Sequence, residues 1–426
     1  MIVRESNIKE SLLGTIPTDW DVKTLDEICD RIWIGLVTTM TKFYVKKGIT
    51  LIRNSDIKEN FIDINKCIQL DPEFSNKHNK YLVKMDDIVT VHTGDVGTSC
   101  VISKELSPAQ GFATINSRLN KQLILPEFYS AYLNSDFFKY QVQQVITGDG
   151  RKNLNLKDFI KLMIVFPPLP EQRKIAEIIS KIDNLIQINK IKLEKISLLK
   201  DALIQNLLFK GLDLHTYQQK SIGILPTSWK IVGINSVCKF IKRGPSLATN
   251  SLGKGIRYIT SGNIVNDKIS LETDFKFLDN FEGIDKCLIQ KDDLILNCVN
   301  SEAKLASSAL YKNNISSIVG FNNYALTLNL DKCLPSFIFY WTKTSNFHNQ
   351  VKSFSKPAIN QVSFSKKDLE KIQIPLPPLE EQFKICQIID PIVSLQEELQ
   401  IKIKKYISFK RGLANDLLLG RKKVNV

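Results

Sequence analysis

The segment PPLPEQRKIAEIISKIDNLIQINKIKLEKISLLKDALIQNLL, Pro167 to Leu208, returns from Pro377 as PPLEEQFKICQIIDPIVSLQEELQIKIKKYISFKRGLANDLL. Pro167, Pro168 and Leu169 recur as Pro377, Pro378 and Leu379, and the same offset of 210 residues carries Glu171, Gln172, Lys174, Ile175, Ile178 and Ile179 onto their counterparts. A chain that repeats itself at one spacing is a tandem duplication, so whatever it folds into has to be built twice. The repeated segment reads as a long helix. Steps of four and three residues from Ile175 land on Ile179, Ile182, Ile186, Asn189, Leu193, Ile196, Lys200, Leu203 and Leu207. From Ile385 they land on Ile389, Ile392, Gln396, Leu399, Ile403, Tyr406, Lys410, Leu413 and Leu417. This is the narrow apolar stripe of a coiled-coil seam, and the two copies are each other's obvious partner; the alternative is that each helix packs on its own domain as ordinary core. Tandem prolines followed by Pro170 suit a helix start. Gly211 and Gly420 suit the exits, and Pro391 is expected to kink or delay the second helix.

The duplication extends through the rest of the chain. Gly14, Pro17, Trp20 and Cys29 recur as Gly223, Pro226, Trp229 and Cys238, Asp86 and Asp87 as Asp292 and Asp293, and Gly111 and Phe112 as Gly320 and Phe321. The offset wanders over these pairs, as it does when loops differ and the frame is kept. The expected fold is α/β (α+β): two repeated globular domains, residues 1–166 and 212–376, each followed by a long coiled-coil helix, residues 167–211 and 377–426. Ile49 to Arg53, Asp87 to Val91, Tyr258 to Ile259 and Asp293 to Leu296 read as strands. A helix opening at Pro126 or Pro335 closes each domain, and its helically spaced aromatics read as core rather than as base-stacking platforms.

At 426 residues the chain is long enough for two or more cores. Its formal charge of +14 and isoelectric point near 9.2 point to a polyanionic partner, and 43% hydrophobic residues rule out a disordered basic tail as the source. The eight cysteines stand singly, with no CxxC pair, so neither a zinc site nor a disulfide framework is indicated. Such thiols, a polar N-terminus and no apolar run of membrane-spanning length lead to the expectation of a cytoplasmic protein.

Three segments are basic and free of acid. Arg31 to Lys47 carries Arg31, Lys42, Lys46 and Lys47. Its repeat, Lys239 to Arg257, carries Lys242, Arg243, Lys254 and Arg257, and Lys332 to Lys367 carries Lys343, Lys352 and Lys356. A weaker counterpart of the third holds Arg151 and Lys152. Such residues suit phosphate contacts, which give affinity without sequence information. Base edges call for Arg, Asn, Gln and Thr. The candidates are Asn54, His92, Thr93 and Arg118 in the first half, and Ser261, Asn263, Asn297, Asn300 and Asn322 in the second. Each of these residue types also serves as a turn residue bonding its own backbone.

Catalytic signatures are missing: there is no GxxxxGK[ST], complete GxGxxG, HExxH or GxSxG, and no Asn/Asp/Ser-Pro-Pro-aromatic motif. The Asp86–Asp87 and Asp292–Asp293 pairs follow Lys- or Gln-containing turns and read as turn carboxylates rather than metal ligands. The two PPLxEQ helices, the openings Ile16 to Trp20 and Leu225 to Trp229, and the strand Tyr258 to Ile264 together resemble the specificity subunit of type I restriction-modification systems, over the whole chain. The resemblance implies two target-recognition domains, each reading one half of a bipartite DNA site. It also implies an antiparallel helix pair as spacer, on which two modification subunits dock, with restriction subunits as further partners of the complex. S-adenosylmethionine, ATP and Mg would then be bound by those partners and none by this chain, which would be a non-catalytic recognition subunit. Apolar residues off the seam, Ile178, Leu185, Ile188, Ile191, Leu198 and Ile388, are the candidate docking surface. One departure concerns the segment after the paired aspartates, where His92, Thr93 and Gly94 in the first half face Asn297, Cys298 and Val299 in the second. Two readings from other classes remain: a coiled-coil scaffold with two protein-binding domains, and a DNA methyltransferase or nuclease with unrecognised motifs.

Overall fold

The computed structural model describes residues 8–148, 152–212, 216–270, 274–358 and 361–424. The chain divides into two compact units, Met1–Lys192 with Leu399–Val426, and Leu193–Glu398. Each unit holds one globular repeat and half of each long helix.

In the first unit a four-stranded antiparallel sheet has the order Ser99–Val101, Ile88–Thr90, Ile115–Leu119, Cys29–Ile34. Its strands are covered on both faces, which is why Ile88 to Thr90 can be buried without a polar side. Alternate side chains enter different cores. Ile88 and Ile115 pack with Phe128, Tyr129, Tyr132 and Phe138, whereas Val89 packs with Trp33, Ile52 and Val83 toward a second sheet. In that second sheet Ala109–Phe112 runs parallel to Ile49–Arg53.

The second unit repeats this plan. Its main sheet contains Cys238–Arg243, Asn323–Leu328, Leu294–Asn297 and Ser308–Leu310 in that order, and Ile256–Ile259 runs parallel to Ser317–Val319 in the smaller one. Leu294 and Leu296 face one core and Ile295 the other. Even the irregularity recurs: the register slips between Arg118 and Leu119 in one sheet and between Cys238 and Phe240 in the other, within the equivalent strand pair. A glycine is required where the first strand leaves each main sheet. A Cβ on Gly35 would stand 2.2 Å from the Gly111 carbonyl oxygen, and one on Gly244 would stand 1.7 Å from that of Val319.

The long helices run Leu169–Lys210 and Leu379–Leu418. Gly211 and Gly420 follow in the left-handed conformation, φ 70° and 67°. Pro391 does not delay the second helix, which begins twelve residues before it. The start of that helix is held by burial instead, with Ile385 and Ile389 fully inside the core of the second unit. The first helix starts likewise on Ile175 and Ile179 in the core of the first unit. The far ends belong to the other repeat: Ile204, Leu207 and Leu208 join the second core, and Ala414, Leu417 and Leu418 the first. Within each unit the two halves pair antiparallel along the expected seam, on which Ile182, Ile186, Asn189, Leu399 and Ile403 are buried. Lys410 Nζ meets Asp183 Oδ1 at 2.5 Å in the first unit, and Gln396 Nε2 donates to Ser197 Oγ at 2.8 Å in the second.

The repeated Glu-Gln of the motif fastens each helix to its domain. Gln172, fully buried, accepts from the Leu125 N–H (2.9 Å) and donates to the carbonyls of Leu123 (3.0 Å) and Pro167 (2.8 Å). Gln382 does the same with the Leu334 N–H (2.8 Å) and the carbonyls of Lys332 (3.2 Å) and Pro377 (2.9 Å). Glu381 accepts from the indole N–H of buried Trp229 at 2.9 Å.

The aromatic segments are core, as their spacing suggests, but each is two helices rather than one. Pro126–Leu133 is followed by Asp136–Val145, capped by Ser135, and Pro335–Trp341 by Ser345–Phe354, capped by Thr344. A hydroxyl that accepts from the N–H three residues on restarts the helix at a new angle. These helices do not close the domains. A short strand follows each, Met163–Phe166 paired with Asp21–Thr24, and Gln373–Leu376 paired with Lys230–Gly233.

Candidate nucleic-acid interface

The strand Ile88–Thr90 runs on through Val91 into His92 and Thr93, and there several of the sequence candidates meet. Asn54 accepts from the His92 N–H at 3.0 Å and donates to the Ala113 carbonyl at 3.2 Å. His92 Nδ1 lies 2.9 Å from Thr93 Oγ1, which donates to Asn153 Oδ1 at 2.7 Å. With the hydroxyl proton given to Asn153, the ring is assigned the Nδ1–H tautomer, leaving Nε2 as an acceptor. Burial holds the His92 pKa below its ordinary value, so the ring is neutral at pH 7. Exposed Lys152 joins through its carbonyl, which accepts from the Gly94 N–H at 3.3 Å. Arg151 lies outside the described residues.

The second unit builds the same loop with different chemistry. The Leu154 N–H donates to the His92 carbonyl at 3.0 Å, and the Phe364 N–H donates to the Cys298 carbonyl at 3.2 Å. Thr93 bridges to Asn153, and Val299 pairs with Ser363. The backbone therefore sets His92 opposite Cys298 and Thr93 opposite Val299, one residue on from the alignment read in the sequence. The loop is kept in both repeats while its side chains change. Asn300 lies on the strand Val299–Asn300, and Lys356 faces Ser363 on the other side of the same three-stranded ribbon. The Asn322 carbonyl accepts from the Cys298 N–H at 2.8 Å. Arg243 lies over Phe321, 4.2 Å from the ring centroid, and donates to the Phe321 carbonyl at 2.8 Å.

Other candidates are spent inside the domains. Asn297, fully buried, donates to the Asn322 carbonyl and to Asn323 Oδ1, both at 3.0 Å. Asn263, 1% exposed, accepts from the Thr260 N–H at 2.7 Å and caps a turn beside Ser261. Arg118 grips Asp87 with two bonds of 2.9 and 2.6 Å. Lys242 pairs with Asp293 at 3.3 Å and donates to the Leu288 carbonyl at 2.9 Å. The aspartates are turn carboxylates as expected: Asp87 and Asp293 accept from the N–H groups of Lys84 (2.8 Å) and Gln290 (2.9 Å), and Asp86 and Asp292 take the left-handed φ of the turn. In the third basic run Lys343 pairs with Asp267 and Lys352 with Glu302, which leaves Lys356 as its exposed cation at the ribbon.

The exposed basic residues Lys42, Lys46 and Lys47 flank the edge strand Tyr44–Val45, just before Ile49–Arg53. Lys254 and half-buried Arg257 stand at the start of the equivalent strand. Arg31 is exposed and stacks over Trp33 at 4.5 Å. Two residues beside the loops were not among the candidates: Phe112, 36% exposed, which ends its parallel strand, and Phe321, 41% exposed, two residues beyond the equivalent strand Ser317–Val319 and next to the Asn322 carbonyl that holds the loop. Their recurrence with a preceding glycine was the available signal. On the long helices Leu185, Ile188, Ile191, Leu198 and Ile388 are all exposed by 40% or more, joined by Leu395, Ile401 and Ile407, whereas Ile178 is half-buried against its own domain.

Among the described residues there is no cluster of metal-ligating side chains, and no helix is long and apolar enough to cross a membrane. The eight cysteines are free.

Residues 17–198 and 226–407 each match the type I restriction modification DNA specificity domain, and the chain belongs to that family. It is 28% identical over 451 aligned residues to a Methanocaldococcus jannaschii protein proposed as the specificity subunit of the type I restriction enzyme MjaX, with 99% of this chain and 98% of the relative covered. The type I restriction enzyme MjaVIII specificity subunit of the same organism is 24% identical, with 99% and 97% covered. In fold the chain is similar to the S subunit of the type I restriction-modification system from M. genitalium, with a TM-score of 0.61 at 15% identity, over 94% of this chain and 96% of that one.

Proposed function

We propose that each globular repeat reads one half of a bipartite duplex DNA site and that the paired helices set the spacing between the halves. The observation that carries this is the loop built twice on the same backbone frame. One copy presents Asn54, His92, Thr93 and Lys152, the other Asn300, Asn322, Arg243 and Lys356, so the frame is constant and the reading groups differ. A family of DNA specificity domains with a basic chain fits such loops to base edges and the surrounding lysines to phosphates. The exposed apolar residues on the long helices suit helices of modification subunits, which bring S-adenosylmethionine for methyl transfer. ATP and Mg belong with restriction subunits, and this chain acts in the cytoplasm as the non-catalytic reader.

The test is a map of methylated sites in a host expressing the full chain with its modification subunits. His92→Ala with Thr93→Ala is expected to alter the bases of one half-site only, and Asn300→Ala with Asn322→Ala those of the other. Lys42, Lys46 and Lys47→Ala is expected to weaken binding to all duplexes and to reduce the slope of log affinity against log salt by roughly 0.9 per lost contact. Loop variants that change both halves together, or neither, overturn the reading.

A further inference from the structure

One seam lysine occupies the same place in both repeats and keeps different company. Lys410 lies 2.5 Å from Asp183 in the first unit. The residues related to this pair by the 210-residue offset are Lys200 and Val393, so the second unit keeps the lysine and replaces the acid. An Asp–Lys pair on a seam, with side chains 20% and 14% exposed, displaces apolar contact and is poor evidence for stability. The second carboxylate oxygen shows what else the pair does. Asn60, at the tip of the hairpin between Ile57–Lys58 and Phe61–Ile62, donates to Asp183 Oδ2 at 2.8 Å. Its own Oδ1 accepts from Ser130 Oγ at 2.7 Å and Asn134 Nδ2 at 2.9 Å. Asn134 bonds the N–H and the carbonyl of Ser99 at 2.9 and 2.8 Å, and Ser99 Oγ meets Thr90 Oγ1 at 2.9 Å. Thr90 stands two residues before His92. Hydrogen bonds thus run from the second long helix, across the first, through the hairpin tip to the strand that carries the candidate DNA loop.

The second unit makes a different link, which ends one strand short, on Ser308–Leu310, the equivalent of Ser99–Val101. Asp267, in the matching hairpin turn, pairs with Lys343 at 2.6 Å, and Lys343 donates to the Ser308 carbonyl at 2.8 Å. Here the seam lysine opposes the chain of contacts: burial lowers the Lys343 pKa, and Lys200 adds to the depression.

We propose that Asp183, Lys410 and Asn60 form a positioning clamp that fixes the first recognition domain on the helix pair and so narrows the spacer accepted between half-sites. The inference rests on the bipartite reading above. Its test uses the full chain assembled with its modification subunits, on duplexes that share both half-sites and differ in spacer length. Asp183→Val supplies the valine found at the matching place in the second unit, Lys410→Met removes the cation that would otherwise lose its partner, and replacing such a pair by apolar residues is commonly neutral or stabilising. The double variant is expected to melt no lower than the parent, yet to raise methylation at spacers one base pair too long or too short by about tenfold relative to the preferred spacer. Asn60→Gly keeps the turn, whose φ is 53°, and is expected to broaden the preference in the same way. Lys410→Arg, which keeps the cation, and Lys200→Met are expected to leave it narrow. A preference as narrow as the parent's in both the double variant and Asn60→Gly overturns the clamp, as does equal broadening by Lys200→Met. A parent complex that methylates no bipartite site overturns the reading of the whole chain, and the clamp with it.

Discussion

Arg118 and Lys242 show how a charge that looks free in a sequence is committed in the fold. Both sit in basic surroundings suited to DNA, and both neutralise an aspartate that is 3% or less exposed. They reach it from different strands of the equivalent sheets, Arg118 from Ile115–Leu119 and Lys242 from Cys238–Arg243. No alignment of the two repeats would pair them, although each does the other's work. Removing the cation leaves a buried carboxylate without its partner, a loss on the order of 3 kcal/mol. Arg118→Leu and Lys242→Met should each lose about that much in denaturant unfolding without DNA, whereas Lys47→Ala should change stability by less than about 0.5 kcal/mol. If Arg118→Leu unfolds like the parent, the Asp87 pair is not structural and Arg118 returns to the DNA-facing set. Asn263 and Asn297 were ambiguous in the sequence for a related reason: the amide that reads adenine also closes a turn, and only burial separates the two uses.

At the scale of the element, the long helices were the most legible part of the chain, because a four-three period carried from Ile175 to Leu207 and again from Ile385 to Leu417 is what a coiled-coil partner requires, although the ends of both stripes also serve as domain core. Pro391 does not delay its helix, and the reason is tertiary. Its missing hydrogen bond and ring clash cost about 3 kcal/mol in a free helix, but the turns before it are anchored by Ile385 and Ile389 in the core. The break between the paired aromatic helices was written in Ser135 and Thr344, and a continuous apolar period hid it. Gln172 and Gln382 recur in the motif without any obvious chemistry, and their role emerges only when three backbone groups from separate segments converge on each amide. Gln382→Ala would strand the Leu334 N–H and two carbonyls, at about 1–3 kcal/mol for each group left unsatisfied. The expected loss is about 3 kcal/mol, with earlier hydrogen exchange at the start of the second long helix than elsewhere in its unit. Uniform exchange with unchanged stability would show that water replaces the amide.

For the whole molecule the question is whether the helix pair sets the spacer. The first long helix has 42 residues, which at about 1.5 Å per residue is a rod of roughly 63 Å. The hydrogen bond between Ser197 and Gln396 identifies facing positions in the second unit. Seven residues inserted after Ile196 and seven after Gln396 therefore lengthen both helices at one level and keep the seam in phase. Such an insertion adds about 10 Å to each helix, close to three base-pair steps at about 3.4 Å each. The complex should then prefer a spacer about three base pairs longer, adjusted for the twist the second half-site acquires. Four-residue insertions at the same points add about 6 Å but carry the apolar stripe off the seam, so a smaller and weaker shift is expected. The half-site bases should stay as they were in both cases, because no recognition loop has been touched. Mapping methylated sites by sequencing measures spacer and bases together. An active seven-residue insertion variant that keeps the parent spacer would show that something other than the helix pair sets the distance between the half-sites.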